Sequence, residues 1–556
     1  MDADNQPQPE VGLIVKFDGN NWKDELGRNW DGLVRFDLPD KDVFAIDANA
    51  NPPVETAFYS GVGTILYNMA VSPVSGKLFV ANTEAVNEVR FEGTRTAGSA
   101  VSSVIGHQHE TRITVIDPAA PGGNVTPRHL NKHIDYSVTP APATTAAKSL
   151  ALPRELAISA NGQTLYVAAK GSDKVGIFSV SELENDTFVP DSADHVHVSG
   201  GGPAGLLLDE ARGRLYVTTR FDNGLSIIDT ASKQETDHLQ LANPEPQSIL
   251  TGRRFLYDAN LTSSNGEAAC ASCHVDGDLD SLAWDLGDPD GSIVSNPLAF
   301  ALGPVNAPPT FYRDFHPLKG PMTTQTLRGM DGHGPMHWRG DRFNGDGQPN
   351  LQPDGGVFNE VEAFKQFGGA FASLLGRSVA GSDGEMQAFA DFILQVLPPP
   401  NPVRNLDDSL TALQGAGESF YFNQIVDTET CNGCHVLDVT QGFFGTDGRA
   451  SFENEPQHLK VAQLRNMYSK VGMFGMPNVP FFNAGNNGHQ GDQIRGFGFL
   501  HDGSTDTLLR FLNASVFGFA DDTERKQVEQ FLFAFDSNLK PVVGQQITLT
   551  DSNATT

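Results

Sequence analysis

Short apolar runs closed by turns recur over the first 240 or so residues. An apolar strand, a turn and a second strand appear in the same order three times. The first copy is Ala70-Val71-Ser72-Pro73 with Lys77-Leu78-Phe79-Val80-Ala81-Asn82. The second is Leu156-Ala157-Ile158-Ser159 with Thr164-Leu165-Tyr166-Val167-Ala168. The third is Gly205-Leu206-Leu207-Leu208-Asp209 with Arg214-Leu215-Tyr216-Val217-Thr218-Thr219. A further strand follows each: Ile113-Thr114-Val115-Ile116-Asp117, Val175-Gly176-Ile177-Phe178 and Leu225-Ser226-Ile227-Ile228-Asp229. Val43-Phe44-Ala45-Ile46-Asp47 reads as the tail of an earlier unit, which makes about four. β units repeated at this scale predict a propeller or solenoid. Residues 91–150 read as a long insertion.

Near residue 245 the pattern changes to helices and glycine-rich loops. Met386, Phe389, Ala390, Ile393, Leu394 and Leu397 fall at helical spacing between Ser382 and Leu397. Ser382 with Glu385 has the form of a capping box at its start. Pro398-Pro399-Pro400-Asn401-Pro402 ends the helix as a stiff linker. A last helix carries Val528, Phe531, Leu532 and Phe535 on one face. The two helical halves repeat one another. Gly252-Arg253-Arg254-Phe255-Leu256-Tyr257-Asp258 matches Gly417-Glu418-Ser419-Phe420-Tyr421-Phe422-Asn423. Thr326-Leu327-Arg328-Gly329-Met330 matches Gln463-Leu464-Arg465-Asn466-Met467, and Met336 and Met473 sit equally far beyond their arginines. The chain thus divides into β blades over 1–245, helical domains over 246–400 and 401–540, and a tail over 541–556 that reads as a cut-short strand.

At 556 residues the chain suits about three domains. No apolar run reaches the ~18 residues of a membrane helix. A formal charge of −30 excludes ordinary nucleic-acid binding and favours a basic partner or a saline medium.

All four cysteines fall in two copies of one motif, Cys270-Ala271-Ser272-Cys273-His274 and Cys431-Asn432-Gly433-Cys434-His435. C-x-x-C-H attaches c-type haem: the thiols add across the vinyl groups and the histidine reaches the iron. A single zinc shared by the two pairs is a weaker reading, given 156 residues between His274 and Cys431. A thioredoxin-like pair would need only one copy. Haem c is attached outside the cytoplasm, which predicts a periplasmic or extracellular protein. Met1-Asp2-Ala3-Asp4-Asn5 shows no apolar signal core, so the sequence reads as a mature or cut-back form.

The β units resemble the YVTN family of propeller repeats through L-Y-V-x-x followed by S-I-I-D. Residues 248–537 resemble the bacterial dihaem cytochrome c peroxidase family, which includes the methylamine-utilisation dihaem enzymes. That resemblance rests on four segments. They are the Gly252–Asp258 lead, Trp338-Arg339-Gly340-Asp341-Arg342, Leu459-Lys460-Val461-Ala462-Gln463-Leu464-Arg465-Asn466 and Phe499-Leu500-His501-Asp502-Gly503-Ser504. It implies a propeller followed by two mainly α cytochrome c-like domains. One haem would take in electrons, the other would bind peroxide, and Trp338 would lie between them. The family's distal acid–base pair would fall near Glu360 and Glu362. Its second histidine after the first motif is absent, and Asp290 stands near that position.

An iron with two protein ligands transfers electrons, and one with an open side can bind peroxide. Met473 or Met476 is the expected sixth ligand at the second haem. At the first, Met336 competes with Met322, Met330, His316, His333 and His337, and His337 could instead be the distal acid–base group. Arg328 and Arg465 could pair with propionates or form surface salt bridges. His501 is expected in a loop near the second haem. Asn344-Gly345-Asp346-Gly347 reads as a glycine turn with the oxygen-rich look of a calcium loop. His107 with His109, and His195 with His197, are i, i+2 pairs that could face one way on a strand and bind metal, and they read first as polar surface histidines.

These readings predict an exported dihaem oxidoreductase of the peroxidase type, fed by a donor protein or small carrier with a basic surface. The alternative is a non-enzymatic electron carrier whose propeller recruits a partner. A third idea, an active site in the propeller itself, has no convergent ligand set behind it.

Overall fold

The computed structural model describes residues 1–9, 11–32, 34, 41–96, 99–120, 122–298, 314–332, 334–350, 357–451, 458–470, 498–503, 505 and 507–539. His333, Met473, Met476 and the strand expected after Pro541 lie outside the described residues. The N-terminal part is built of antiparallel sheets and the C-terminal part is mainly helical.

Three four-stranded sheets follow one another along the chain. The first pairs Ile65–Val71, Leu78–Ala85, His109–Asp117 and Asn124–His129 in that order. The second runs Pro153–Ile158, Thr164–Ala169, Lys174–Ser179 and His195–His197. The third runs Pro203–Asp209, Arg214–Thr219, Gly224–Asp229 and Gln234–Gln240. A ribbon of Val43–Asp47 and Val54–Tyr59 precedes them. Every strand pairs with the next in its sheet, so each sheet is an up-and-down meander. Pro153–Ile158 packs between Ile65–Val71 and Pro203–Asp209, which stands the sheets side by side.

Alternation along the strands explains the stacking, because successive side chains point to opposite faces. In Thr164–Ala169, Leu165, Val167 and Ala169 pack with Phe79, Ile113 and Val115 of the first sheet. Tyr166 faces the other way, into a core shared with Leu215, Val217 and Ile228 of the third. The second sheet is therefore buried on both faces. The described sheets do not close into a ring.

Residues 91–150 are more than an insertion. This segment and its lead-in dock the β part onto the first helical half. Phe91 N–H donates to the Asp285 carbonyl at 2.7 Å, Gly106 N–H to the Leu374 carbonyl at 2.8 Å, and Arg90 Nε to Asp285 Oδ2 at 2.8 Å.

The helical halves share one construction. Gln247–Tyr257 packs on Asp383–Ile393, and Ala412–Asn423 packs on Asp522–Phe533. Each crossing is closed by a glycine. A Cβ on Gly252 would stand 2.2 Å from the Ala388 carbonyl and 2.4 Å from Phe392 Cβ. One on Gly417 would stand 2.0 Å from the Gln527 carbonyl and 2.9 Å from Phe531 Cβ. Ser382 accepts from Glu385 N–H, and the Glu385 carboxylate accepts from Ser382 N–H at 2.7 Å, so the capping box forms. That helix ends at Ile393, short of the expected Leu397, which is exposed. The ring of Pro398 disfavours helical geometry at Leu397, the residue directly before it.

Candidate functional site

Each cysteine pair occupies one helical turn, Cys270–Cys273 and Cys431–Cys434, with its histidine at the C-cap. Both turns open onto one cavity of about 610 Å³. None of the four cysteines is disulfide-bonded. Burial raises all four thiols, Cys270 to about 12, Cys273 well above the usual range, and Cys431 and Cys434 to about 11.

Both histidines turn Nδ1 toward backbone carbonyls. His274 Nδ1 lies 2.8 Å from the Gln325 carbonyl. His435 Nδ1 lies 3.0 Å from the Gly445 carbonyl and 3.2 Å from the Ala462 carbonyl. A carbonyl only accepts, so each Nδ1 carries the proton and Nε2 is left as the basic nitrogen. Gln325 and Ala462 are the same position of the internal repeat. The repeat continues from there. Thr326 Oγ1 accepts from Arg328 N–H at 3.2 Å, and Gln463 Oε1 from Arg465 N–H at 2.9 Å. Gly329 and Asn466 both take left-handed backbone, at φ +67° and +63°. Met330 and Met467 are both buried.

Other expected residues fall into two groups. Met336, His337, Trp338, Met322, Met330, Arg328 and Arg465 line the cavity. Trp338 lies in the seam between the halves. Its Nε1–H donates to the Thr323 carbonyl at 2.7 Å, and its own carbonyl accepts from Lys460 N–H at 2.8 Å. Thr323 N–H donates in turn to the carbonyl of buried His501 at 2.7 Å. Lys460 lines the cavity too, and desolvation lowers its amine to about 8. Arg465 is buried, reaches the Gly329 carbonyl of the first half and lies 3.9 Å from the Phe444 ring centroid. Arg328 pairs with Asp278 at 3.0 Å.

His337 Nδ1 lies 2.8 Å from Asp341 Oδ1. Burial lowers the imidazole pKa despite that carboxylate. Asp341 also accepts from Arg339 at 2.9 Å and pairs with Arg342 at 3.2 Å. Desolvation of the Asp341 side chain, 6% exposed, works to raise its pKa, yet His337, Arg342 and Arg339 together hold it well below the usual carboxylate range. With Nδ1 committed, Nε2 is the nitrogen left to act at the cavity. His337 adopts φ +72°, a conformation that costs on the order of 1–3 kcal/mol in a non-glycine residue and concentrates at functional sites.

The remaining candidates stand elsewhere. Glu360 accepts from Gly332 N–H at 3.2 Å, and Glu362 pairs with Lys365 at 3.0 Å; neither lines the cavity. His316 is buried away from it, with Nδ1 accepting from Leu318 N–H and Nε2 facing Asp2. Asn344 Oδ1 accepts from Asn359 N–H at 2.7 Å, and Asp346 caps the Gln348 N–H at 2.9 Å.

His109 departs from the sequence reading. It is buried, tilted against the Trp284 ring at 5.1 Å, and burial drops its pKa to about 3. His107 stacks on Tyr136 at 3.5 Å. Among the described residues, His109, Cys273 and Asp280 are the one group of three or more donors close enough to hold a metal ion. The two cysteine pairs therefore do not converge on a shared zinc. A single turn presenting two cysteines and an oriented histidine to an apolar cavity fits haem c, once per half.

No family model and no curated protein matches this chain. Solved structures give partial likenesses. Kuenenia stuttgartiensis hydrazine synthase is 17% identical over 32% of this chain and 49% of that one, with a TM-score of 0.23. This chain thus spans about half the length of that relative. A xenon-pressurised structure of the same enzyme is 18% identical over 53% and 89%, with a TM-score of 0.34. A Pseudomonas aeruginosa periplasmic gluconolactonase is 15% identical over 44% and 67%, with a TM-score of 0.24. With scores this low, nothing is carried over from them.

Proposed function

We propose that this is an exported dihaem c-type cytochrome, with two cytochrome c-like domains behind a partial β-propeller, acting as a peroxidase-type oxidoreductase. The observation that carries the reading is the repeated device at His274 and His435. Each follows a pair of cysteines on one turn and directs its Nδ1 proton at backbone carbonyls, that of Gln325 in the first half and those of Gly445 and its repeat partner Ala462 in the second. Such a bond fixes the tautomer and ring plane of an iron ligand.

Bound haem would supply an iron that changes oxidation state and, with one open side, a place for peroxide. Cys270, Cys273, Cys431 and Cys434 would hold the two groups covalently, with His274 and His435 as proximal ligands. His337 is suited to take and return a proton at Nε2, since Asp341 fixes the opposite nitrogen. Trp338 is suited to carry electrons across the seam. A donor with a basic surface would suit the chain's acidity.

Met336 supports the alternative. It is 3% exposed, lines the cavity and could fill the sixth position, leaving a pure electron carrier. Two measurements decide. Haem content and mass of the chain matured in a periplasm should show two attached haems. Optical spectra before and after one-electron reduction, with peroxide or cyanide added, should show one high-spin, reactive iron. Two low-spin, inert haems would leave the carrier reading, and a chain without haem would refute both.

A further inference from the structure

We propose that Trp284 is a redox-active residue beside the first cysteine turn, giving up an electron during peroxide reduction while its indole proton passes to Asp280. This rests on the dihaem reading above. Trp284 is 4% exposed and lines the cavity that holds Cys270, Cys273 and His274. Its Nε1–H donates to Asp280 Oδ2 at 3.0 Å, and Asp280 is 7% exposed. The other Asp280 oxygen accepts from Leu282 N–H at 2.9 Å, which holds the carboxylate in place. The backbone of Trp284 pairs with Met322, and the Met322 side chain packs on Trp338.

The β part packs His109 against this pair. Its ring centroid lies 5.1 Å from that of Trp284, and neither ring nitrogen has a hydrogen-bond partner among the described residues. Donor atoms of His109, Asp280 and Cys273 lie within 4.8 Å of one another. Cys273, as one haem attachment, would thus put the haem edge next to the Trp284–Asp280 pair.

The physical argument concerns buried charge. Oxidising an isolated buried indole would create a cation with no solvent to stabilise it. Here the carboxylate is already bonded to the indole N–H, so electron and proton leave together and Asp280 becomes neutral. His109, kept neutral by its burial, adds no opposing charge.

Hydrogen peroxide is the oxidant: it takes two electrons and two solvent protons and leaves as two waters. One electron comes from Trp284, whose N–H bond breaks as an O–H bond forms on Asp280. The other comes from the one-electron donor. A further donor electron then restores the indole, which takes its proton back from Asp280.

The test mixes the haem-loaded full chain with hydrogen peroxide, freezes it, and reads EPR together with peptide masses. We expect an organic-radical signal and oxygenation of the Trp284 peptide. Trp284→Phe should abolish both. Asp280→Asn leaves one acceptor oxygen for the two N–H groups that the carboxylate serves and cannot take the indole proton; it should weaken the signal several-fold with two haems still attached. Trp338→Phe should leave the Trp284 peptide oxygenated. An undiminished signal in Trp284→Phe overturns the proposal and leaves the dihaem reading intact. Haem content and the optical response to peroxide are read first; a failure of either overturns both.

Discussion

In the first helical half, His274 is oriented by the Gln325 carbonyl and Gly252 closes the helix crossing; in the second, His435 is oriented by the Gly445 and Ala462 carbonyls and Gly417 closes the crossing. The surroundings differ. The first cysteine turn is walled by the β part. Glu267, three residues before Cys270, is buried and bonded to His129 at 2.8 Å, Asn131 at 2.9 Å, Thr111 N–H at 3.0 Å and the Tyr136 hydroxyl. The second turn is capped by its own Thr430 hydroxyl and has no fully buried residue. The lesson is that the repeat supplies the histidine geometry, while the neighbouring β part covers the first turn. On the proposed reading, the walled site suits chemistry that must exclude water, and the open one suits exchange with a donor.

The harshest way to break this comparison is to remove one thiol pair at a time. Cys270→Ala with Cys273→Ala should leave one attached haem, and so should Cys431→Ala with Cys434→Ala, as read by intact mass. Loss of both haems from either variant would show that the halves do not mature independently.

Next in size is the wall. Glu267→Ala strands several buried donors at once, and should cost about 3 kcal/mol in urea unfolding. Its pH dependence has a definite sign. Burial lowers the His129 pKa, but the hydrogen bond and charge of Glu267 outweigh it and raise the net value. A raised histidine stabilises fully below its unfolded pKa, and that contribution is lost as pH rises through the folded value. The unfolding midpoint should therefore fall across that alkaline-going window, and Glu267→Gln should flatten the slope. A midpoint that climbs there would contradict the assignment.

The glycine crossings sharpen the comparison further. Gly252→Ala and Gly417→Ala each force a Cβ against a partner-helix carbonyl, at 2.2 and 2.0 Å. Each should cost about 2 kcal/mol, since overpacking moves a helix rather than a side chain. Gly415, in the same helix as Gly417, meets nothing within 4 Å. Gly415→Ala should instead stabilise by up to ~1 kcal/mol through helix propensity. Equal losses at 252 and 417 would show that the halves share one packing rule.

Much of this was legible in the sequence because it is local. Alternation predicted the strands from Leu165 to Val167, the capping box at Ser382 predicted a helix start, and C-x-x-C-H predicted the turns. The rest depends on contacts far apart in the chain. His109 reads as a surface histidine because alternation shows which residues share a face, not what covers it. Its cover, Trp284, belongs to the other domain. The carbonyls of Gln325 and Ala462 carry no side-chain signature at all; only their repeat register points to them. Glu360 and Glu362 were drawn from a resemblance in context, and on the helix Glu360–Lys365 neither lines the cavity.

That helix yields the smallest expected effect. Glu362 is 40% exposed at its side chain and pairs with Lys365 at 3.0 Å. An exposed pair of this kind contributes roughly 0–0.5 kcal/mol, because solvent screens the attraction and two long side chains lose freedom. Lys365 keeps Asp383 at 2.9 Å when Glu362 is neutralised. Glu362→Gln should thus leave the unfolding midpoint, the haem content and the optical response to peroxide unchanged. A Glu362→Gln variant that slows the peroxide response would bring this helix into the first site and move the acid–base role away from His337.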